Sequence, residues 1–102
     1  MNISITARHC EISEELRERT RQVLERLGTL VRRPLEAAVV FDVGPQVALA
    51  EIRLKRGRSD VLVATGQDKD HRSALDRAVD KIRRQVERDD PTSKRRGARE
   101  LA

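Results

Sequence analysis

The sequence predicts a single α+β domain in which a four-stranded sheet is covered on one face by two helices. Apolar and polar side chains alternate over four short segments, a pattern typical of half-buried strands. Over two longer segments the apolar side chains recur with the period of an amphipathic helix. The order along the chain is strand, helix, strand, strand, strand, helix. Because short turns join the three consecutive strands, we expect an antiparallel meander, with both helices on its apolar face.

The first strand and the first helix are predicted from residues 2–33. Ile3 and Ile5 alternate with polar residues over residues 2–7, as in a half-buried strand. Ser13 is a good N-cap and two glutamates follow it, where carboxylates suit the helix dipole. Pro34 is expected to stop the helix. The positions with helical spacing are Leu16, Thr20, Val23, Leu24, Leu27 and Val31.

Three further strands are predicted over residues 36–43, 46–55 and 60–65. The first of these ends at a Gly-Pro turn signal, and Gly66 is expected to end the last. Residues 56–58 (RGR) form a short connection with a positive tip. The periodicity leaves the inward face of the last strand open. The two alternatives are Val61 with Val63, or Leu62 with Ala64.

The second helix is predicted over residues 71–88, with Asp70 as its N-cap. At about 100° per residue, its apolar and basic side chains fall on two lines that are almost directly opposite. Acidic residues follow one flank between these lines. This separation by charge favours a phosphate-facing surface, although an ordinary solvated helix face is the alternative. The apolar line is Leu75, Val79, Ile82 and Val86, with Ala78 at its margin, and the basic line is Arg77, Lys81, Arg84 and Arg88.

Composition limits the remaining possibilities. Phe41 is the single aromatic residue among 102, so the core must consist of aliphatic side chains. No apolar run approaches the roughly 20 residues of a membrane-spanning helix, and no signal-peptide pattern opens the chain. The single cysteine, Cys10, excludes an internal disulfide and fits the reducing cytoplasm, where we expect the protein to reside.

The net charge of +5 is unevenly distributed. Residues 91–102 carry four of the basic residues and a single glutamate, and they show no apolar period. We therefore expect a folded domain over residues 1–89 and a disordered basic tail over residues 90–102. Because the domain itself is only slightly basic, affinity for polyanions must come from local clusters of charge.

The sequence contains no convincing catalytic or metal site. The adjacent residues His9 and Cys10 cannot easily converge on one metal ion, and no second pair of ligands accompanies them. The five glycines stand singly, so there is no glycine-rich phosphate loop. We expect neither an enzyme nor a protein that uses a metal, another cofactor or a small-molecule substrate.

With catalytic and metal sites set aside, the clusters of basic residues are the remaining feature that indicates a function. Besides the second helix, they include Arg8 and the hairpin residues Arg56 and Arg58. Proteins that bind single-stranded nucleic acid usually stack bases on aromatic side chains, which this chain cannot offer. Phosphates and the shape of structured RNA are therefore the better target. The hairpin cations could equally be an ordinary charged edge that discourages strand pairing.

Five short motifs follow one another within residues 2–88. They are residues 5–9 (ITARH), 12–17 (ISEELR), 66–68 (GQD), 74–76 (ALD) and 80–85 (DKIRRQ). In their order and spacing they resemble the ribosome hibernation-promoting factors, also called ribosomal subunit interface or sigma-54 modulation proteins. The resemblance implies a βαβββα fold similar to double-stranded RNA-binding domains. It also implies that the chain lacks the extra domain with which longer members pair ribosomes, so pairing by that route is not expected.

The resemblance further implies a partner and a site. Such a protein binds the small ribosomal subunit and its rRNA in the channel for mRNA and tRNA, near the decoding site. There it inhibits translation and protects idle ribosomes. By resemblance Lys81 and Arg84 would face rRNA, Arg77 and Arg88 would continue their line, and Arg8 would lie on a loop near the RNA. Arg72 stands where the family usually has an aromatic residue, and we include it among the candidate contacts.

Two other functions stay open on sequence grounds. One is a protein-interaction module that modulates a transcription factor, as one family name suggests. The other is a domain that binds nucleic acid without specificity through its hairpin and tail. The sequence does not decide whether the protein stabilises single idle ribosomes or assists ribosome pairing, nor does it determine the oligomeric state.

Overall fold

The computed structural model describes residues 1–57 and 60–89, with residue 89 described through its backbone only. The order of the six elements is the one predicted from the sequence. The predicted basic tail, residues 90–102, lies outside the described residues, as does Arg58. The elements are β1 (Asn2–Ala7), α1 (Glu14–Thr29), β2 (Pro34–Gly44), β3 (Val47–Arg56), β4 (Asp60–Asp68) and α2 (His71–Asp89).

The four strands form one mixed sheet in the order β1-β2-β3-β4. β1 pairs with β2 in parallel, because α1 carries the chain back between them. The pairs β2–β3 and β3–β4 are antiparallel, so the predicted meander is confirmed. Among the described strands, β1 and β4 lie at the two edges of the sheet, and no other described strand pairs with their outer backbone groups.

Both helices pack on the same face of the sheet and bury one aliphatic core around Phe41. The register determines which residues of β4 face this core, the point that periodicity left open. Leu62 and Ala64 stand beside core residues of β3 and are buried. Val61 and Val63 lie on the opposite, open face of the sheet, with 45% and 39% of their surface exposed.

The prediction that Gly66 ends the fourth strand is wrong. β4 continues through Gly66 to Asp68, and Gly66 pairs with Ala50 of β3. A Cβ atom at position 66 would clash with the carbonyl oxygen of Ala74 and lie 2.7 Å from the backbone nitrogen of Ala78. The glycine is therefore needed because the backbone of α2 passes directly over the strand, not because the chain turns.

The predicted helix starts are confirmed by their side-chain hydrogen bonds. Ser13 Oγ accepts from the backbone N–H of Leu16, and Asp70 Oδ1 accepts from the backbone N–H of Ser73. Each bond satisfies one of the unpaired N–H groups of a first turn. α1 ends at Thr29, so Val31 lies beyond the helix, although it still packs against the core.

Candidate nucleic-acid interface

The orientation of α2 about its own axis differs from the prediction. Ala78, placed at the margin of the apolar line, is fully buried, whereas Val79 is only half-buried. The helix is therefore turned so that the small residues at positions 74 and 78 pack over Gly66. Consequently the basic line lies along the flank of α2 beside β4, and not directly opposite the core. We call Arg77, Lys81, Arg84 and Arg88 the cationic row.

The flank that carries the cationic row is tied to the edge strand β4 by side-chain hydrogen bonds. Lys81 Nζ donates to the carbonyl oxygen of Thr65 at 2.7 Å. Gln85 Nε2 donates to the carbonyl oxygen of Val63 at 2.8 Å. α2 thereby satisfies two carbonyl groups of a strand at the edge of the sheet, which a further strand would otherwise be able to pair with.

Arg77 is tied to β4 by an ion pair. Its Nε atom donates to Asp68 Oδ2 at 2.6 Å. This hydrogen bond is the main reason why the pKa of the Asp68 carboxyl lies below its usual value, with a second contribution from the backbone N–H of Lys69. The same bond raises the pKa of Arg77. Both partners are therefore charged at neutral pH, and the charge of Arg77 is compensated within the protein.

The other three members of the cationic row have no carboxylate partner in the described part of the chain. Lys81 contacts a carbonyl oxygen, which carries no formal charge. Arg84 and Arg88 are exposed, and neither has an ion pair or a hydrogen bond within residues 1–57 and 60–89. The row is therefore open to solvent along its length, and its net positive charge lies mainly toward the C-terminal half of α2.

One acidic residue of α2 faces α1. Asp76 accepts a hydrogen bond from Arg19 of α1 at 2.9 Å and forms an ion pair that links the two helices. Asp80 and Glu87 are exposed, and Glu87 lines a shallow surface depression together with Lys81, Arg84 and Arg88. The predicted separation of charge is therefore seen for Asp76, which faces α1, and for Arg77 and Lys81, which lie beside β4.

Three other candidates for RNA contact lie within the described residues, and their surroundings differ. Arg56 has only 16% of its side chain exposed, and its Nε atom donates to Asp60 Oδ2 at 2.6 Å across the hairpin. Arg8 lies on the open face of the sheet, beside Val40 and Glu51, away from the helices. Arg72 is exposed in the first turn of α2 and has no ion pair within the described part of the chain.

The sequence did not indicate that Asp68 and Gln85 form contacts between α2 and β4. Asp68 stands nine residues before Arg77, and Gln85 lies 22 residues after its partner Val63, so neither contact follows from helical spacing. The one local signal was that Gln85 lies next to the cationic row on the helix surface. Its role could be recognised only once β4 was placed beneath that flank.

Near the N-terminus of α2, two histidines contact Asp42 of β2. His9 Nδ1 lies 3.2 Å from Asp42 Oδ1, and His71 Nε2 donates to the carbonyl oxygen of Asp42 at 2.9 Å. The backbone N–H of Val43, and then His9, lower the pKa of the Asp42 carboxyl.

Within the described ranges, no group of three or more His, Cys, Asp or Glu side chains is placed to hold a metal ion. In that same part of the chain, no helix has the length and apolar character needed to cross a bilayer.

Comparison with known proteins relates this fold to one family. Residues 3–90 match the family described as sigma 54 modulation protein / S30EA ribosomal protein. The N-terminal domain of Protein Y from Thermus thermophilus is similar, with 32% identity, a TM-score of 0.75, and coverage of 86% of this chain and 98% of that one. A ribosomal subunit interface protein from Coxiella burnetii shares the fold at 20% identity, with a TM-score of 0.73, covering 84% and 93%. The comparison with curated proteins finds no relative.

Proposed function

The chain belongs to the sigma 54 modulation protein / S30EA ribosomal protein family of ribosome-associated factors, and we propose that it binds the small ribosomal subunit. In this proposal it occupies the channel for mRNA and tRNA near the decoding site, where it inhibits translation and protects idle ribosomes. The function needs neither catalysis nor a cofactor, and it requires the protein to act in the cytoplasm.

The observation that carries this proposal is that Lys81, Arg84 and Arg88 are exposed on one helix flank and form no ion pair within residues 1–57 and 60–89. Basic side chains in register contact phosphates, and such contacts position a protein on RNA without reading bases. The absence of tryptophan and tyrosine from the sequence agrees with this mode, because no platform for stacked bases is needed. Structured rRNA presents phosphates at fixed spacing, which a rigid helix can match.

Cosedimentation with purified small ribosomal subunits tests the proposal. Three phosphate contacts give a salt slope of about −2 to −3, so affinity should fall on the order of 15- to 60-fold between about 50 and 200 mM salt. The triple variant Lys81→Gln, Arg84→Gln, Arg88→Gln should lose this binding while it stays folded. The matched control is Arg26→Gln, Arg32→Gln, Arg33→Gln at the end of α1 and in the connection to β2, because these three arginines are also exposed and have no ion pair within the described residues.

The control variant should bind nearly as well as the unmodified protein. If the unmodified protein does not sediment with small subunits at low salt, the proposed function is wrong. If the triple variant on α2 binds as tightly as the control, the cationic row is not the docking surface. An in vitro translation assay with the same variants then measures inhibition, which should follow the order of affinities.

A further inference from the structure

Arg77 differs from the other members of the cationic row because its charge is compensated by Asp68. A phosphate-binding surface would gain attraction from four free cations, yet one of the four is held by a carboxylate of β4 at 2.6 Å. This ion pair affects which polyanions the cationic row binds. This inference rests on the proposed function, since it concerns the same surface.

The carboxylate that holds Arg77 is itself fixed. Asp68 Oδ1 accepts the backbone N–H of Lys69 at 2.7 Å, and Asp68 Oδ2 accepts Nε of Arg77. Only 22% of the Asp68 side chain is exposed, so it has little freedom to turn away. Both carboxylate oxygens are thus occupied, and Arg77 is attached to the last residue of a strand and not to a mobile loop.

The attachment leaves the outer part of the guanidinium group available. Arginine has five N–H donors, and the bond to Asp68 uses the one on Nε. The Arg77 side chain is 65% exposed, so its terminal nitrogens can reach a partner in solvent. A guanidinium group that is oriented in advance loses less side-chain entropy when it forms a bidentate bond with a phosphate.

We propose that Asp68 is a positioning and specificity residue for RNA binding. It directs the terminal nitrogens of Arg77 toward one phosphate of structured RNA, and its charge reduces the attraction of Arg77 for polyanions in general. An RNA whose phosphate lies in that direction gains the hydrogen bonds of Arg77. A polyanion with phosphates elsewhere experiences only the nearly cancelled charge of the pair, because opposite charges at this distance have little combined field farther away.

The test compares two targets, purified small ribosomal subunits and a duplex DNA of unrelated sequence. Asp68→Asn removes the charge but keeps the size of the side chain, and we expect it to raise affinity for the DNA several-fold. Affinity for small subunits should fall several-fold. The ratio of small-subunit affinity to DNA affinity should therefore decrease about tenfold. Glu25→Gln is the matched control, because it removes the same charge from an exposed position on α1. It should change both affinities by the same factor.

Making Asp68→Asn in the Arg77→Gln variant distinguishes the positioning of Arg77 from the general effect of removing a negative charge. With Arg77 absent there is nothing for Asp68 to orient, so Asp68→Asn should raise affinity for both targets together. In the free protein, the Nε–Hε resonance of Arg77 should exchange slowly with water, and Asp68→Asn should abolish that protection.

Three outcomes would overturn the inference while the proposed function stands. They are an unprotected Arg77 Hε in the unmodified protein, an Asp68→Asn variant that gains affinity equally for both targets, and one that changes neither affinity. If the unmodified protein fails to bind small subunits at all, the proposed function fails and this inference fails with it.

Discussion

Gly66 lies so close beneath α2 that a Cβ atom there would clash with the carbonyl oxygen of Ala74. This contact brings the helix down onto β4 and determines which flank of α2 stands beside the strand edge. Arg77, Lys81 and Gln85 reach β4 as a result. A close approach of two backbones therefore positions the surface that we propose binds RNA.

Gly66→Ala should destabilise the domain by about 1–3 kcal/mol, because the helix must move away from the strand to admit the methyl group. The midpoint of urea unfolding measures this loss. Thr65→Ala is the control, since Thr65 is the exposed neighbour in the same strand and its removal leaves the packing against Ala74 unchanged. Equal midpoints for the two variants would show that the close approach does not limit stability.

Gln85→Ala should reduce the free energy of unfolding by about 0.5–1.5 kcal/mol, the typical worth of one hydrogen bond. The bond from Gln85 Nε2 to the carbonyl oxygen of Val63 is lost, and part of the β4 edge becomes available to another strand. Urea unfolding measures the first effect, and light scattering on heating should show earlier aggregation. Glu87→Ala, two residues later and exposed, should show neither effect.

The pH dependence of stability should include a contribution from Asp68. Its pKa in the folded protein lies below the usual 3.8, so the ion pair stabilises the fold above that pH, and the stabilisation is lost as pH falls through the lower folded value. From about pH 5 to about pH 2, the unmodified protein should therefore lose more stability than Asp68→Asn. Parallel curves for the two proteins, measured by urea unfolding at each pH, would contradict this expectation.

Arg56 and Arg88 should respond differently to the same substitution. Arg88→Gln removes an exposed and uncompensated charge, so it should make the salt slope for small-subunit binding shallower by about 0.9 and leave stability nearly unchanged. Arg56→Gln breaks the ion pair with Asp60 in a largely buried side chain. It should lower the unfolding midpoint and change the salt slope little. The opposite pattern would mean that the hairpin, not α2, contacts the RNA.

The family resemblance and the fold were both accessible from the sequence because they depend on local patterns. Alternation and helical spacing are properties of neighbouring residues, and the capping roles of Ser13 and Asp70 depend on bonds only three residues long. The members of the cationic row could likewise be identified, since the period of a helix assigns Arg77, Lys81, Arg84 and Arg88 to one line. Arg58 and residues 90–102 lie outside the described structure, so the predictions made for them stay predictions.

The sequence by itself determined the order of the elements, the two-layer arrangement and the line of basic residues on α2. Only the tertiary structure decided how α2 is turned, which face of β4 is buried, and which cations are compensated. The physical reason is that these features depend on contacts between residues far apart in the chain, such as Gly66 beneath Ala74 and Lys81 against Thr65. The helical period gives each residue an angular position around the helix axis. The packing of α2 on β4 decides which of these positions are buried.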